Sequence, residues 1–252
     1  MSATDFAWRS EFLSGIRLVQ ERLTPIWLSG RRPDAIPGSG YHWTLPGFSR
    51  PVSVDRIEAF FLYNLAVALR IQSAVEIGTG FGYSTLWLAG GVYEVWGDEG
   101  WVGTIDSLKE GGLGAIGTDF AAWAVEYLGL GHVITRLVGT SPTDVAGLVG
   151  GRRVELAFID GNHQGEQPLR DFMSLTRHLA ARGVVVWHDF DKRYSVPRVV
   201  EKAAELGFAY RVFPTSCGVA VSYREPTVEG WVEIAFRAAA NHDFVAAREA
   251  TE

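Results

Sequence analysis

From Ser73 onward, short apolar runs alternate with longer stretches of helical periodicity, and this alternation constrains the fold more than any other feature of the chain. Runs suited to strands fall at residues 74–77, 101–105, 133–138, 154–159 and 184–187. The stretches between them read as helices. In one of these, Leu169, Phe172, Met173, Thr176, Leu179 and Ala180 repeat at i, i+3, i+4 and i+7, the stripe of a helix with one buried face. Strands that alternate with helices form βαβ units and a parallel sheet. A further helix is expected over 196–206, followed by two closer strand runs at 208–213 and 218–223. Only residues 214–217 lie between those two runs, too few for a crossover helix, so they must pair antiparallel. Residues 228–248 read as a final helix.

The first 70 residues follow a different pattern. Phe12, Ile16, Val19 and Leu23 have helical spacing, which predicts a helix over about residues 5–23. Residues 31–50 are rich in Pro and Gly and read as a long ordered loop carrying Tyr41, His42, Trp43 and Phe48. A second helix is expected to start at Ser53, taken as its N-cap, with Glu58 in reach for a capping box. Its apolar face would be Ile57, Phe60, Phe61, Leu65 and Leu69. The expected organisation is a helical extension over 1–70, a core over 71–225 and a C-terminal helix over 226–252.

With 252 residues and 47% hydrophobic composition, the chain can build a full core without staples. Cys217 is the only cysteine, which excludes a disulfide framework and a thiolate metal cluster. A net charge of −6 argues against nucleic-acid binding, which wants a basic face. No apolar run approaches the roughly 20 residues needed to span a membrane, and residues 1–10 mix acid, base and polar groups unlike a signal peptide. These features predict a cytoplasmic protein with no nucleic-acid or membrane partner. Assembly into a homo-oligomer is compatible with them.

Ligands of open α/β sheets bind at the carboxyl ends of the strands, near the topological switch point. Here the first run leads into Glu76-Ile77-Gly78-Thr79-Gly80-Phe81-Gly82-Tyr83-Ser84-Thr85, and the second ends at Asp106. The third leads to Gly139-Thr140-Ser141, the fourth to Asp160-Gly161-Asn162-His163, and the fifth to His188-Asp189. Parallel strands would gather all five ends on one edge. The glycine loop departs from the dinucleotide pattern G-x-G-x-x-G: Tyr83 holds the place of the third glycine, which falls one residue earlier at Gly82. Such a loop suits a ligand without a pyrophosphate. A phosphate-binding P-loop is excluded, because no G-K-[ST] follows. An acid at Asp106 can accept both hydroxyls of a ribose, or simply cap a turn.

In order, the glycine loop, Thr104-Ile105-Asp106, Phe158-Ile159-Asp160-Gly161-Asn162-His163 and Gly183-Val184-Val185-Val186-Trp187-His188-Asp189 resemble the class I S-adenosylmethionine (SAM)-dependent methyltransferases. The likeness is greatest to the catechol-type and bacterial small-molecule O-methyltransferases. It covers about residues 50–223 and implies a Rossmann-like, doubly wound sheet, mostly parallel, with an antiparallel C-terminal hairpin. By matching position, Gly78, Gly80 and Ser84 would hold the methionine part of SAM, Glu76 would steady the loop, Asp106 would bind the ribose and Ser141 would sit by the adenine. The methyl acceptor would be a hydroxyl of a small organic molecule. Trp27, Tyr41, Trp43 and Phe48, with Phe60, Phe61 and Tyr63, could line a lid over it. For Phe60 and Phe61 core packing is the stronger expectation.

The resemblance also implies a divalent cation, Mg²⁺ or similar, held by an Asp after the fourth strand and an acidic or amide pair after the fifth. Those positions are Asp160, His188 and Asp189. The pair therefore begins with an imidazole, whereas Mg²⁺ prefers oxygen and imidazole suits Fe, Ni or Zn. Two other readings stay open here. Asp160 and Asp189 could bond loop amides while His188 packs over the cofactor, or His163 or His188 could serve as a general base without metal. The candidate catalytic residues are thus Asp160, His163 and His188. A fold that keeps the cofactor without catalysis, and a nicotinamide-dependent oxidoreductase, are the competing functions.

Overall fold

The computed structural model describes residues 3–29, 54–107 and 113–245. The expected aromatic loop over 31–50, with Tyr41, His42, Trp43 and Phe48, lies outside them, as does the side chain of Trp27. Seven strands form one sheet in the order β3-β2-β1-β4-β5-β7-β6. They are β1 (Ser73–Ile77), β2 (Trp101–Asp106), β3 (Ile134–Val138), β4 (Val154–Ile159), β5 (Leu179–Trp187), β6 (Ala209–Phe213) and β7 (Val219–Tyr223). β1 to β5 are parallel, and β7 runs antiparallel to both β5 and β6. The expected hairpin therefore forms, but its second strand is the inner one, wedged between β5 and β6.

Side chains alternate across the sheet and build two cores. Ala74, Val102, Leu156, Phe158, Val184 and Val186 face α1 (Ala3–Ser29), α2 (Arg56–Leu69), α3 (Tyr83–Trp96) and α8 (Glu229–Ala240). Val75, Ile77, Ala157, Ile159, Val185 and Trp187 face α5 (Val145–Val149), α6 (Gln167–Thr176) and α7 (Val196–Glu205). The remaining helix, α4 (Leu113–Tyr127), places Phe120 and Ala124 in the first core. Central strands covered on both faces read as near-continuous apolar runs, which is why they were legible.

Helix α1 is longer than its apolar stripe predicts, and Phe12, Ile16 and Val19 are buried as that stripe requires. It is tied to α3 by Arg9, whose guanidinium pairs with Glu94, itself a partner of the Tyr63 hydroxyl. Tyr63, with Phe60 and Phe61, is core and not lid. Three local expectations are corrected. The N-cap of α2 is Asp55 and not Ser53: Asp55 and Glu58 exchange bonds to each other's backbone N–H, at the three-residue separation a capping box needs. Leu179 and Ala180 leave the helical stripe, because α6 ends at Thr176 and β5 starts at Leu179. The last helix stops at Ala240, where Asn241 caps it and His242 turns left-handed (φ 54°).

Candidate active site at the carboxyl edge of the sheet

Sheet hydrogen bonds continue one residue past the strand ends and set the site residues in a row. Gly78 donates to Ile105, Gly139 to Asp106, Asp160 to Ile77 and His188 to Ile159. The chain runs outward from β1 to β3, then returns to β4 on the other side of β1. This topological switch point lies between the loop after β1 and that after β4.

At the β1 end, Glu76 is fully buried and its carboxylate collects three hydroxyls: Ser84 Oγ at 2.5 Å, Thr104 Oγ1 at 2.6 Å and Thr85 Oγ1. Burial pushes its pKa up to about 7, against the pull of these donors. Glu76 thus ties the start of α3 and Thr104 of β2 to the end of β1. The Ser84 hydroxyl is directed to Glu76. The glycines divide in role. A Cβ on Gly78 would lie 2.6 Å from the Asp160 carbonyl carbon, so this glycine lets the first loop cross the end of β4. On Gly82 a Cβ would lie 2.8 Å from that of Ala121, a matter of helix packing. A Cβ on Gly80 would meet nothing within 4 Å among the described residues. Its N–H donates to Asp106 Oδ2 at 2.9 Å, which joins the glycine loop to the acid after β2.

Ser141 lies in the loop after β3. Its carbonyl accepts from Gln167 Nε2 at 2.9 Å, and the same amide donates to Asp171 Oδ1 at 2.7 Å. Burial raises the pKa of Asp171, while Ser141 and Gln167 lower it. Gln167 and Asp171 had no sequence signal beyond their places on a helix, yet they hold the third loop to the fourth.

The ends of β4 and β5 bring together every residue expected there. His188 Nδ1 lies 2.7 Å from Asp160 Oδ1 and 3.8 Å from Asp189 Oδ2. His163 Nε2 lies 3.2 Å from Asp189 Oδ2 and 3.5 Å from Asp160 Oδ1. Asp160, His163 and His188 each offer a ligand atom, and these atoms lie within 4.8 Å of one another. Burial raises the pKa of Asp189; His188 and His163 oppose the rise, and Asp160 and Glu58 add to it. Asp189 also holds a left-handed backbone (φ 55°), a conformation Asp tolerates better than most residues and one that recurs at functional sites.

Glu58, from α2, was read from sequence only as a capping residue. Its Oε2 lies 3.1 Å from His188 Nε2, and its Oε1 accepts from Thr215 Oγ1 at 2.6 Å in the loop between β6 and β7. An acid embedded in the apolar face of a helix was the available signal. Burial alone would pull the His188 imidazole toward neutrality, but Asp160, Cys217 and Glu58 outweigh it and hold the pKa well above the ordinary range. Burial opposes ionisation of Glu58 too, but His188, Thr215 and the Asp55 N–H outweigh it and lower its pKa.

This arrangement fits a divalent cation by an observation of its own. His188 Nδ1 is buried and faces Asp160 Oδ1 at 2.7 Å, an ion pair in which a divalent cation can replace the ring proton. A ring nitrogen facing carboxylates is a donor set that a cation takes.

Residues 75–190 match the family model described as a methyltransferase domain. No curated protein matches the chain. Among solved structures it is similar to an O-methyltransferase from Bacillus cereus in complex with SAH, with 19% identity, 84% of this chain and 91% of that chain covered, and a TM-score of 0.61. It is also similar to the O-methyltransferase TomG from Streptomyces achromogenes, involved in tomaymycin synthesis and complexed with SAM, with 19% identity, 69% and 82% covered, and a TM-score of 0.55. Cofactor-bound Rv0187 from MTB shares 22% identity over 69% of this chain and 83% of that one, with a TM-score of 0.56. At these identities the likeness is one of fold.

Proposed function

We propose that this chain, with a methyltransferase domain over residues 75–190, transfers a methyl group from SAM to a hydroxyl of a small organic molecule. The observation that carries this reading is a pairing at one sheet edge. An open-faced glycine loop, bonded to the acid after β2, stands beside a cluster of two carboxylates and two imidazoles. The glycine shift at Gly82, which argues against a pyrophosphate ligand, disfavours the oxidoreductase. The assembled carboxylate–imidazole cluster favours catalysis over a fold that only retains the cofactor.

In this reading the Gly80 backbone borders the methionine end of SAM, with Gly78 shaping the loop and Glu76 and Ser84 buttressing it. Asp106 faces the ribose, and the Ser141 loop, held by Gln167, sits at the adenine end. The acceptor oxygen bonds the methyl carbon as the carbon–sulfur bond breaks, and S-adenosylhomocysteine leaves. The hydroxyl proton must go to the protein. His163, the less enclosed of the two imidazoles, is placed to take it, with Asp160 and Asp189 on hand to stabilise the charge. Asp160, His188 and Asp189 would hold a divalent cation, which when bound supplies Lewis-acid lowering of the acceptor's pKa. Orientation of the two reactants is the remaining contribution. Residues 1–70 and the C-terminal helix, outside the matched domain, are proposed to shape the acceptor site.

Excess EDTA should cut methyl transfer strongly, and Asp189→Asn should do the same, while SAM affinity measured in parallel changes little. Full activity with no divalent ion would refute the cation and leave His163 or His188 as the base.

A further inference from the structure

Glu58 is separated from His188 by 130 positions, yet the two touch in the protein interior. Both oxygens of its carboxylate are engaged. Oε2 accepts the Asp55 N–H at 2.8 Å and faces His188 Nε2, while Oε1 accepts from Thr215. Glu58, His188 and Cys217 also offer atoms close enough to share an ion, but both Glu58 oxygens already hold hydrogen-bond partners of their own. Glu58 is itself held from both sides. Asp55 caps α2 and accepts from Ser216 N at 3.3 Å, and Thr215 Oγ1 accepts from Gly218 N at 3.0 Å. Opposite Glu58, the other ring nitrogen of His188 is buried and faces Asp160 Oδ1 at 2.7 Å and Asp189 Oδ2 at 3.8 Å.

We infer that Glu58 holds the Nε2 side of His188 and turns Nδ1 toward Asp160 and Asp189, where a bound cation would replace its proton, so that the site selects a d-block divalent cation over Mg²⁺. This rests on the reading of that cluster as a cation site in a methyltransferase. The chemistry follows from the donors. Mg²⁺ favours near-octahedral oxygen and sheds water reluctantly. A neutral imidazole beside two carboxylates suits Fe, Co, Ni or Zn. A carboxylate on the far nitrogen of a ligating histidine sets its tautomer and ring orientation and raises its basicity. Glu58 is thus a positioning residue that acts through His188.

The test uses the full chain stripped with EDTA, with Co²⁺, Zn²⁺ and Mg²⁺ added alone and SAM absent. Calorimetry should find Co²⁺ bound on the order of 100-fold more tightly than Mg²⁺, with visible ligand-field absorption. Glu58→Gln should weaken Co²⁺ binding about 10–100-fold. His188→Asn, which offers an amide oxygen in place of nitrogen, should narrow the preference for Co²⁺. Nitrogen-15 histidine spectra of the Zn²⁺-loaded wild type should show Nε2 protonated and Nδ1 coordinated; these decide the matter even if Glu58→Gln fails to fold. Mg²⁺ binding as tightly as Co²⁺, Glu58→Gln binding Co²⁺ normally, or Zn²⁺ seated on Nε2 would each overturn the inference. SAM affinity of the same sample separates the two layers. SAM binding without cation binding defeats this inference alone, whereas cation binding without SAM binding defeats the methyltransferase reading and leaves the cation site standing.

Discussion

Two neighbouring glycines of one loop should respond to the same substitution in opposite ways. At Gly78, φ is +102° and a Cβ would lie 2.6 Å from the Asp160 carbonyl carbon and 3.0 Å from Gly161 N. Carbon atoms pack at about 3.5–4.0 Å, so Gly78→Ala must push the end of β4 away by about 1 Å. Overpacking of this kind costs roughly 1–3 kcal/mol, and the strained backbone adds roughly 1–3 kcal/mol more. The expected destabilisation is therefore about 2–6 kcal/mol, a large part of the roughly 5–15 kcal/mol that holds a typical domain together. At Gly80, φ is +48° and a Cβ meets nothing within 4 Å. Gly80→Ala should cost only the left-handed penalty, about 1–2 kcal/mol. Its methyl group would instead enter the space assigned to SAM, and SAM affinity should fall at least about tenfold because close backbone approach is lost. Urea unfolding at constant m-value measures the first difference, and calorimetry with SAM the second. If the two variants unfold at the same urea concentration, the packing argument is wrong; if Gly80→Ala binds SAM normally, the loop is a turn and not a cradle.

Asp106→Ala removes the acceptor of the Gly80 N–H as well as the proposed ribose contact, and SAM binding should weaken by about 2–3 kcal/mol in a folded protein; unchanged calorimetric affinity would remove Asp106 from the site. Glu76 makes stability depend on pH. Its pKa is raised in the folded state from 4.5 to about 7, so its stabilising contribution is complete below pH 4.5 and is lost as pH rises through 7. That loss is at most about 3 kcal/mol. Glu76→Gln should lack this slope, so the stability difference between wild type and variant, followed by urea unfolding from pH 5 to 8, should shift in favour of the variant as pH rises. A constant difference would mean that the three hydroxyls keep Glu76 ionised throughout.

The sheet was legible because its strands are buried on both faces and its helices carry apolar stripes; both patterns are local and survive in a linear text. The order of polar residues after the strands was legible for the same reason, since parallel strands leave their ends on one edge whatever the packing behind them. Boundaries were harder. Leu179 and Ala180 satisfy a helical stripe and a strand equally well, and only pairing with β4 assigns Leu179 to β5. Ser53 and Asp55 are both good N-caps, and the spacing to Glu58 selects Asp55.

What the sequence determined by itself is the alternation of strand and helix, the row of candidate groups at the strand ends, and the loop that departs from the dinucleotide pattern. What only the tertiary structure decided is which of these groups meet and in what state. Ser84 turns to Glu76, Ser141 is held by Gln167, and Glu58 reaches His188 across 130 positions. Periodicity reports which face of an element is buried. It carries no record of what that face meets, because such contacts depend on how α2 and the β6–β7 loop close over the end of β5. Burial then decides the chemistry. The same carboxylate that would only cap a helix in water, once enclosed beside an imidazole, sets that ring's charge and direction.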